Sequence, residues 1–348
     1  MRPLAPDDAA HAEALAQASA TVASTAAIRA RIGCMQVECD ISASIPRASP
    51  GPSWLAPRGQ VGYRRRSLPD LLIDMPKPQH LTVNAKLFKT IAIRLAVYVP
   101  IAWLFPSFAL FYLVCGLYDV ARNSQLDGYT VYQYFFGRGL FTWMLSPFNI
   151  IMDIVSLPYW NKGVYRLEDL PPAHQAEVRD LIEAMKQQGL VEKIQSRLSD
   201  GAREMIFFKW YGQNIDGPID IPEFRQHYPL IRTIGVSVFN RKKSTNRHFG
   251  PLRMTLRVLY NLNDVQSDQA WIEVGRHANV WRDEKMFIFD DTLMHQSFNE
   301  TEAPRYCAFI DVVRPGLVPT LMGRLVDALG GVLIRANHIF YKNWSFIK

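Results

Sequence analysis

The sequence predicts a mainly β chain, a double-stranded β-helix (jelly roll) with flanking α-helices, preceded by a transmembrane helix and a disordered N-terminal tail. The first observation is a series of short strand-like segments after Gly201, separated by turn residues at fairly regular spacing. These segments are Glu204–Tyr211, Leu230–Phe239, Met254–Leu262, Ala270–Val274, Lys285–Phe289 and Arg305–Val313. The other two observations are an uncharged segment of 24 residues, 95–118, and a Pro-rich, basic segment before it.

Helices are predicted on both sides of the strands, and the jelly-roll domain is expected to cover residues 165–317. Pro171 and Pro172 precede a run whose apolar residues recur with the period of a helix. These residues are Val178, Leu181, Ile182 and Met185, at positions i, i+3, i+4 and i+7. Gly189 is expected to end or bend this helix, and a second short helix follows. Residues 318–348 are apolar with interspersed basic residues, which predicts an amphipathic C-terminal helix lying along a membrane surface.

Residues 86–160 form the predicted membrane segment, with a span at about residues 95–118. An apolar helix of about 20 residues crosses a hydrocarbon core of roughly 30 Å, so this segment is long enough. Pro100 and Pro106 are expected to kink it, which membrane helices tolerate. A shorter apolar limb over residues 139–157 has three interpretations: a second limb of the span, a re-entrant segment or an interfacial helix.

The net charge of +7 is confined to one part of the chain. Residues 41–94 contain nine Arg or Lys and two Asp, so the remaining 294 residues are neutral overall. This basic part overlaps the predicted disordered tail, residues 1–85, and leads directly into the apolar span. A nucleic-acid-binding chain usually spreads its basic residues over a folded face. We therefore expect no nucleic-acid partner, and the charge indicates a membrane-orientation signal.

Two of the eight histidines, His248 and His295, lie 47 residues apart on either side of the central predicted strands. Jelly rolls with one His on an early strand and another on a late strand commonly hold non-haem Fe(II). The usual site adds a carboxylate two residues after the first His. Gly250 occupies that position in this chain. The spacing of the histidines indicates a candidate iron site without settling its third ligand.

The segments around these histidines resemble a known family. The motifs are His248-Phe249-Gly250-Pro251, Leu256-Arg257-Val258, Phe289-Asp290-Asp291, His295, and Arg305 with Asp311-Val312-Val313-Arg314-Pro315. With them the chain resembles the aspartyl/asparaginyl β-hydroxylases, which are Fe(II)- and 2-oxoglutarate-dependent dioxygenases. Lys209-Trp210-Tyr211-Gly212 and Trp281-Arg282-Asp283 are similar to the bacterial branch that includes lipid A hydroxylase and ornithine-lipid hydroxylase. The resemblance covers about residues 200–320.

The resemblance implies roles for five residues. His248 and His295 match the two ligands of Fe(II). Arg305 matches the arginine that binds the distal carboxylate of the co-substrate 2-oxoglutarate, a task that suits a guanidinium because it forms two charge-assisted hydrogen bonds. Arg257 and Ser237 match two further co-substrate contacts. His248, His295 and Arg305 are therefore the expected catalytic residues.

Two positions depart from the common pattern of such sites. The aspartyl hydroxylases also have Gly where Gly250 stands, so water can take the vacant metal position, held there by Asp290 or Asp291. The family's His two residues after the matching Arg is Leu259 here, which removes one polar contact to the co-substrate. Arg257 on an apolar strand would be costly to bury without an anionic partner, and a carboxylate ligand would supply one.

The expected function is hydroxylation of an unactivated C–H bond by a membrane-anchored Fe(II)/2-oxoglutarate-dependent dioxygenase, with release of succinate and CO₂. The membrane anchor and the amphipathic C-terminus favour the acyl chain of a membrane lipid as substrate. The His-x-Gly pattern favours a peptidyl Asp or Asn, which ranks slightly lower. The alternative, to which Leu259 points, is a non-catalytic membrane scaffold that retains the fold.

The expected location is the inner (cytoplasmic) membrane, with the catalytic domain in the cytoplasm, where Fe(II) and 2-oxoglutarate are abundant. Cys34, Cys39, Cys115 and Cys307 show no disulfide framework, which fits a reducing compartment. A single span would place everything after it on the side opposite the basic tail. The cytoplasmic location therefore requires residues 139–157 to turn back or to lie in the interface.

Overall fold

The computed structural model describes residues 85–159, 161–187, 189–199, 201, 203–333 and 345–347. The predicted tail lies outside the described residues apart from Ala85, as do residues 334–344 of the predicted C-terminal helix. All described residues belong to the compact unit Pro76–Lys348.

Two β-sheets form the centre of the described part of the chain. The strands are β1 (Val164–Tyr165), β2 (Arg203–Trp210), β3 (Gln213–Asn214), β4 (Ile231–Phe239), β5 (Lys243–Ser244), β6 (Thr255–Asn261), β7 (Ala270–Val274), β8 (His277–Val280), β9 (Met286–Phe289), β10 (His295–Asn299), β11 (Arg305–Val313) and β12 (Ser345–Phe346). The larger sheet has eight strands in the order β1-β9-β6-β11-β4-β2-β12, with β3 paired to β2. The smaller sheet has four, in the order β5-β10-β7-β8. Neighbouring strands are antiparallel except β12, which is parallel to β2.

The predicted mainly β architecture is confirmed. All six strand-like segments form strands whose ends lie within one residue of the predicted bounds. The sequence does not predict β10, because His-Gln-Ser-Phe-Asn lacks the apolar alternation that identifies a half-buried strand. This polar strand begins with His295 and lies between β5 and β7 in the smaller sheet.

The helices surround the sheets. They are α1 (Ala85–Leu104), α2 (Pro106–Ala121), α3 (Gly128–Phe135), α4 (Leu140–Met144), α5 (Ser146–Val155), α6 (Pro172–Gln187), α7 (Leu190–Gln195) and α8 (Pro319–Leu333). The amphipathic helix predicted after Pro172 is confirmed as α6. Gly189 separates it from α7 with a φ of +57°, a left-handed conformation that glycine adopts without steric penalty.

Alternation along the strands gives the larger sheet two different faces. On β11, Ala308 and Ile310 point into an apolar core that also includes the buried residues of α6 and α7. Cys307 and Phe309 point the other way, into a second core shared with Ile272 of the smaller sheet. The two sheets therefore pack face to face, and polar side chains on the inner faces lie in the space between them.

The predicted span at residues 95–118 is divided between two helices. α1 ends at Leu104, and α2 begins at Pro106, where a proline at the first helical position is favourable because its missing N–H has no partner to lose. Among the described residues, α1 is the helix long and apolar enough to cross a bilayer. Its most apolar 18-residue stretch has a mean hydropathy of 1.6, and 6% of that stretch is buried in the structure.

The second apolar limb, residues 139–157, contains α4 and α5, which contact the loop before β6. Thr142 donates a hydrogen bond to the Gly250 carbonyl at 2.9 Å, and the Asn149 amide donates to the Pro251 carbonyl at 3.2 Å. The predicted C-terminal helix begins as α8, which packs Met322 against Met254 and Val313. Both elements therefore attach to the part of the chain that carries the candidate site.

Candidate functional site

His248 and His295 are brought together by the backbone. They form an isolated antiparallel bridge, in which each backbone N–H donates to the carbonyl of the other residue, at 3.1 and 3.0 Å. Their ring centroids are 4.2 Å apart. The two imidazoles, which lie 47 residues apart in the sequence, are thus neighbours at the start of β10.

Each imidazole is oriented by a carbonyl two residues before it. His248 Nδ1 lies 2.8 Å from the Asn246 carbonyl oxygen, and His295 Nδ1 lies 2.8 Å from that of Leu293. A carbonyl only accepts hydrogen bonds, so Nδ1 carries the proton in both rings and Nε2 keeps its lone pair. Desolvation lowers the pKa of His248 to about 3 and that of His295 to about 4. Both rings are therefore neutral at physiological pH, the form that binds metals.

Asp291 is the carboxylate that faces the histidine pair. Its Oδ1 lies 3.5 Å from His295 Nε2. A Cβ on Gly250 would lie 1.8 Å from Asp291 Oδ2, so this carboxylate occupies the space beside residue 250. The backbone N–H of Gly250 donates to the Asp291 carbonyl at 2.7 Å, which fixes the two segments together. Of the two aspartates that the sequence leaves open, Asp291 is thus the one that faces the histidine pair.

Asp290 points away from the histidines into a group of buried ion pairs, which we call the buried charge cluster. Its members are Arg122, Arg253, Arg314, Asp119, Asp153 and Asp290. Burial opposes ionisation of Asp290, but Arg314 and Arg122 outweigh it and hold the pKa of this carboxyl below its usual value. Asp290 also accepts hydrogen bonds from the Thr292 N–H at 2.9 Å and hydroxyl at 2.7 Å. The cluster therefore anchors the loop between Asp291 and His295.

Arg305 has a buried guanidinium without a carboxylate partner among the described residues. The side chain is 1% exposed and lies over the rings of Phe239 and Trp281, at 4.5 and 5.0 Å. Its Nη2 donates to Ser297 Oγ at 2.8 Å, whereas Nε and Nη1 find no hydrogen-bond acceptor there. Leaving buried charged donors unpaired is unfavourable, so these two nitrogens suit an anionic ligand.

Arg257 is in a different situation from Arg305. Its Nε donates to Asp311 Oδ1 at 2.7 Å, and its Nη1 lies 3.2 Å from Asp291 Oδ1. The anionic partners that its burial demands are therefore carboxylates of the chain itself. This corrects the expectation that its burial calls for a carboxylate ligand, and it makes Arg257 the residue that holds Asp291 beside the histidines.

Ser237 and Leu259 lie on the inner face of the larger sheet. Ser237 is paired with Cys307 across β4 and β11, and its hydroxyl donates to the Cys307 carbonyl at 3.3 Å. Leu259 is 8% exposed and belongs to the apolar core that includes Phe287 and Phe309. The position at which the family carries His is thus surrounded by apolar side chains.

The five predicted site residues are therefore brought to one region between the sheets, on β4, β6, β10, β11 and the segment bridged to β10. Sequence reasoning missed Ser297, which contacts Arg305. It follows His295 by two residues, so the period of a strand would have placed both on one face had β10 been recognised. No group of three or more His, Cys, Asp or Glu arranged to hold a metal occurs in the described ranges.

Residues 175–315 match the sequence model of the family described as aspartyl/asparaginyl beta-hydroxylase. This match confirms the resemblance indicated by the motifs, and all five predicted site residues lie inside it. It supports an oxygenase or hydroxylase activity for this part of the chain.

A curated relative is the ornithine lipid ester-linked acyl 2-hydroxylase of Rhizobium tropici, which is 32% identical to this chain over 91 residues. The match covers 26% of this chain and 32% of the relative. The chain thus spans about a third of the length of the curated relative that it matches.

Two solved structures also show some similarity. A prolyl-4-hydroxylase from Pseudomonas putida is 11% identical, with 47% of this chain and 99% of that chain covered and a TM-score of 0.30. An oxidoreductase of the 2OG-Fe(II) oxygenase family from Burkholderia pseudomallei is 15% identical, with 45% and 93% covered and a TM-score of 0.28.

Proposed function

We propose that the chain is a membrane-anchored Fe(II)/2-oxoglutarate-dependent dioxygenase that hydroxylates an acyl chain of a membrane lipid. In this proposal the two facing sheets are the halves of a double-stranded β-helix. The observation that carries it is Arg305, whose buried guanidinium keeps two nitrogens unpaired in the space between the sheets that also holds the histidine pair. One region thus combines donors for a metal with a receptor for a carboxylate.

The residues present fit Fe(II). His248 and His295 would hold it through Nε2, because both Nδ1 atoms are engaged by backbone carbonyls. Imidazole nitrogens together with a carboxylate are the donors that non-haem Fe(II) sites use. Bound Fe(II) and 2-oxoglutarate supply, with O₂, the oxidising power for the C–H bond, and succinate and CO₂ are released.

The other residues bind and orient. Arg305 would grip the distal carboxylate of 2-oxoglutarate with its free nitrogens, while Phe239 and Trp281 exclude water from that contact. Asp291 would accept a hydrogen bond from a water at the metal position that no protein side chain fills. Arg257 would hold Asp291 in place for this task, through the ion pair at 3.2 Å.

A lipid substrate is favoured by the surroundings of the site. A cavity of about 240 Å³ is lined by Tyr118 of the apolar helix α2, Val274 and Leu293, and elsewhere by polar residues such as Arg122 and Lys162. Val274 is the strand partner of His295, and the Leu293 carbonyl orients the His295 ring. An acyl chain following the apolar helix would therefore reach the strand that carries the metal ligand. The name of the relative from Rhizobium tropici supports the same class of substrate.

Two other functions are favoured by single residues. Gly250, as part of the His-x-Gly pattern, favours peptidyl Asp or Asn as the substrate. Leu259, which replaces a polar co-substrate contact, favours a non-catalytic membrane scaffold.

The test uses the full-length protein in detergent with Fe(II), 2-oxoglutarate and ascorbate, and measures succinate with and without a membrane lipid extract. We expect lipid-dependent succinate and lipids heavier by one oxygen atom. His295→Ala should abolish both, whereas His227→Ala, at an exposed histidine, should retain them. Succinate that depends on Asp-containing peptides would favour the peptide substrate. Absence of succinate with both substrates, together with absence of iron binding, would favour the non-catalytic membrane scaffold.

A further inference from the structure

Trp143 shows how α1 and α2 are arranged. Its ring meets that of Tyr98 on α1 edge to face, with centroids 5.1 Å apart, and its indole N–H donates to the Tyr112 carbonyl on α2 at 3.0 Å. In one straight helix, the 14 residues between Tyr98 and Tyr112 would rise about 21 Å, too far for one side chain to contact both. The chain therefore bends sharply between the two helices, at Phe105.

The pairing is that of an antiparallel hairpin. Tyr98 and Tyr112 lie seven residues on either side of Phe105, so both limbs reach Trp143 at the same distance along the helix from the bend. Gly116, one turn further along α2, lies against the same indole, because a Cβ there would be 2.5 Å from Trp143. Both limbs thus lead from the bend back to Trp143, in the part of the chain that follows the hairpin.

Both limbs are attached to that part at some distance from the turn. On α2, Asp119 pairs with Arg253, and Arg122, which follows the helix, pairs with Asp290 at 2.9 Å. On α1, the Tyr98 hydroxyl donates to the Phe135 carbonyl at 2.8 Å. The chain therefore enters and leaves the hairpin on the side of the catalytic domain.

The tip of the hairpin projects beyond these attachments and is apolar. Trp103 is 85% exposed, Leu104 67% and Phe105 62%. Each limb rises about 10 Å from the level of Trp143 to the turn, whereas the hydrocarbon core of a bilayer is roughly 30 Å thick. The tip is thus long enough to enter a bilayer and too short to emerge from its far side.

The helices next to the hairpin also turn apolar side chains outwards. On α5, Asn149 and Asp153 face inwards to Arg253, while Ile151 and Ile154 are more than half exposed. α8 also turns an apolar side chain outwards, the exposed Leu321. The residues before α8 are attached to the end of α5 by a hydrogen bond from the Leu317 N–H to the Val155 carbonyl, at 2.8 Å. An exposed apolar surface of this extent marks an interaction site.

The charges favour a lipid surface rather than a second protein as the partner. Lys86 and Lys89 are exposed on the first turns of α1, at the end of the hairpin opposite the tip. They lie about 18 and 14 Å beyond Tyr98, so at low salt they would attract anionic phospholipid headgroups through the solvent when the tip lies among the acyl chains. Arg94, between them and Tyr98, adds a third positive charge on the same limb.

We propose that α1 and α2 are a re-entrant hairpin, which enters and leaves an anionic bilayer on the face that carries the catalytic domain, with α5 and α8 lying along that face. This rests on the membrane anchoring in the proposed function but not on its chemistry. It replaces a span at residues 95–118 by an anchor that leaves the basic flank and the catalytic domain on one side.

The test is labelling of single cysteines in sealed vesicles with a membrane-impermeant maleimide. Cys34 and Cys39 are replaced by Ser, and the buried Cys115 and Cys307 are retained. The cysteines are introduced one at a time at exposed positions, as Lys86→Cys, Leu126→Cys, Lys242→Cys and Leu104→Cys. The first two flank the hairpin, the third reports the catalytic domain, and the fourth reports the tip.

We expect the two flanks and the catalytic domain to be labelled from the same face, and the tip from neither face until detergent is added. Labelling of Lys86→Cys and Lys242→Cys from opposite faces would overturn the proposal, and so would labelling of the tip from the far face. Labelling of all four variants in detergent, with the thermal unfolding of the parent, controls for folding.

A second measurement tests the partner. The protein should float with vesicles that contain anionic phospholipid, and the double variant Lys86→Glu, Lys89→Glu should bind them more weakly, by at least fivefold per charge at low salt. Equal binding of the parent to anionic and neutral vesicles, or equal binding of the parent and the double variant to anionic vesicles, would contradict the anionic partner. Succinate formation is measured on the same samples, so a correct hairpin without activity would refute the enzyme alone.

Discussion

The carboxylate of Asp291 fills the space that a side chain at Gly250 would need. A Cβ on Gly250 would lie 1.8 Å from Asp291 Oδ2 and 2.9 Å from its carbonyl oxygen. In the proposed iron site, a carboxylate would thus stand beside position 250 from the loop between β9 and β10, four residues before the second His. A glycine at position 250 is a requirement of this arrangement rather than a loss of function.

Gly250→Ala should therefore reduce turnover by at least about tenfold and the free energy of unfolding by about 1–3 kcal/mol, because the added methyl group displaces Asp291. Succinate formation and thermal unfolding measure the two effects. Gly128→Ala is the matched control, since a Cβ there has no atom within 4 Å, and it should leave both quantities unchanged.

Moving the carboxylate should restore activity. The double variant Gly250→Asp, Asp291→Gly returns the acidic side chain to the position two residues after His248 and removes the clash. We expect it to turn over faster than either single variant. A double variant no more active than Gly250→Asp alone would show that Asp291 does not act at the metal.

Arg305→Lys should raise the KM for 2-oxoglutarate by at least about tenfold, since hydrogen bonds to charged groups contribute roughly 1.5–3 kcal/mol and an ammonium cannot reproduce the guanidinium fork. Steady-state kinetics of succinate formation measures it. Arg282→Lys, in an exposed pair with Asp283, should leave the KM unaltered. An unchanged KM in Arg305→Lys would remove this residue from the co-substrate site.

Arg253→Met should lower the free energy of unfolding by about 3–5 kcal/mol, because it leaves Asp119 and Asp153 buried with one counter-ion fewer. Denaturant unfolding in detergent solution measures this loss. Arg225→Met breaks an exposed pair with Asp220 and should change the free energy by less than about 1 kcal/mol. Equal effects of the two substitutions would mean that the buried charge cluster does not stabilise the fold.

Leu259→His should not improve co-substrate binding. The imidazole would lie among Phe287 and Phe309, where an unpaired polar group costs about 1–3 kcal/mol of stability. We expect a lower melting temperature and an unchanged or higher KM for 2-oxoglutarate, whereas Leu259→Met should resemble the parent. A lower KM in Leu259→His would show that the co-substrate lies against this position.

The sequence carries enough information for the sheet and the histidine pair. Apolar alternation identifies strands such as Arg305–Val313, since one face of each must be buried. It does not identify His295–Asn299, whose inner face is polar because it lines the site. The partners of Arg257 could not be predicted either. Asp311 becomes its neighbour through the register of β6 with β11, and Asp291 through the loop before β10.

The arrangement of the apolar helices could not be predicted from composition. Residues 95–118 expose the same side chains to lipid whether they cross a bilayer or fold back within it. The difference depends on Trp143, which lies 25 residues beyond the segment and bridges its two limbs. A hydropathy profile does not take such a tertiary contact into account.

The buried charge cluster limits how this chain can be shortened for biochemical work. A fragment starting at residue 165 would contain Arg253, Arg314 and Asp290 but lose Asp119 and Asp153, which belong to the apolar helices. Such a fragment would have unpaired positive charge in its interior and would fail to fold. A soluble version should keep those helices and instead exchange their outward-facing residues, such as Ile151 and Ile154, for polar ones.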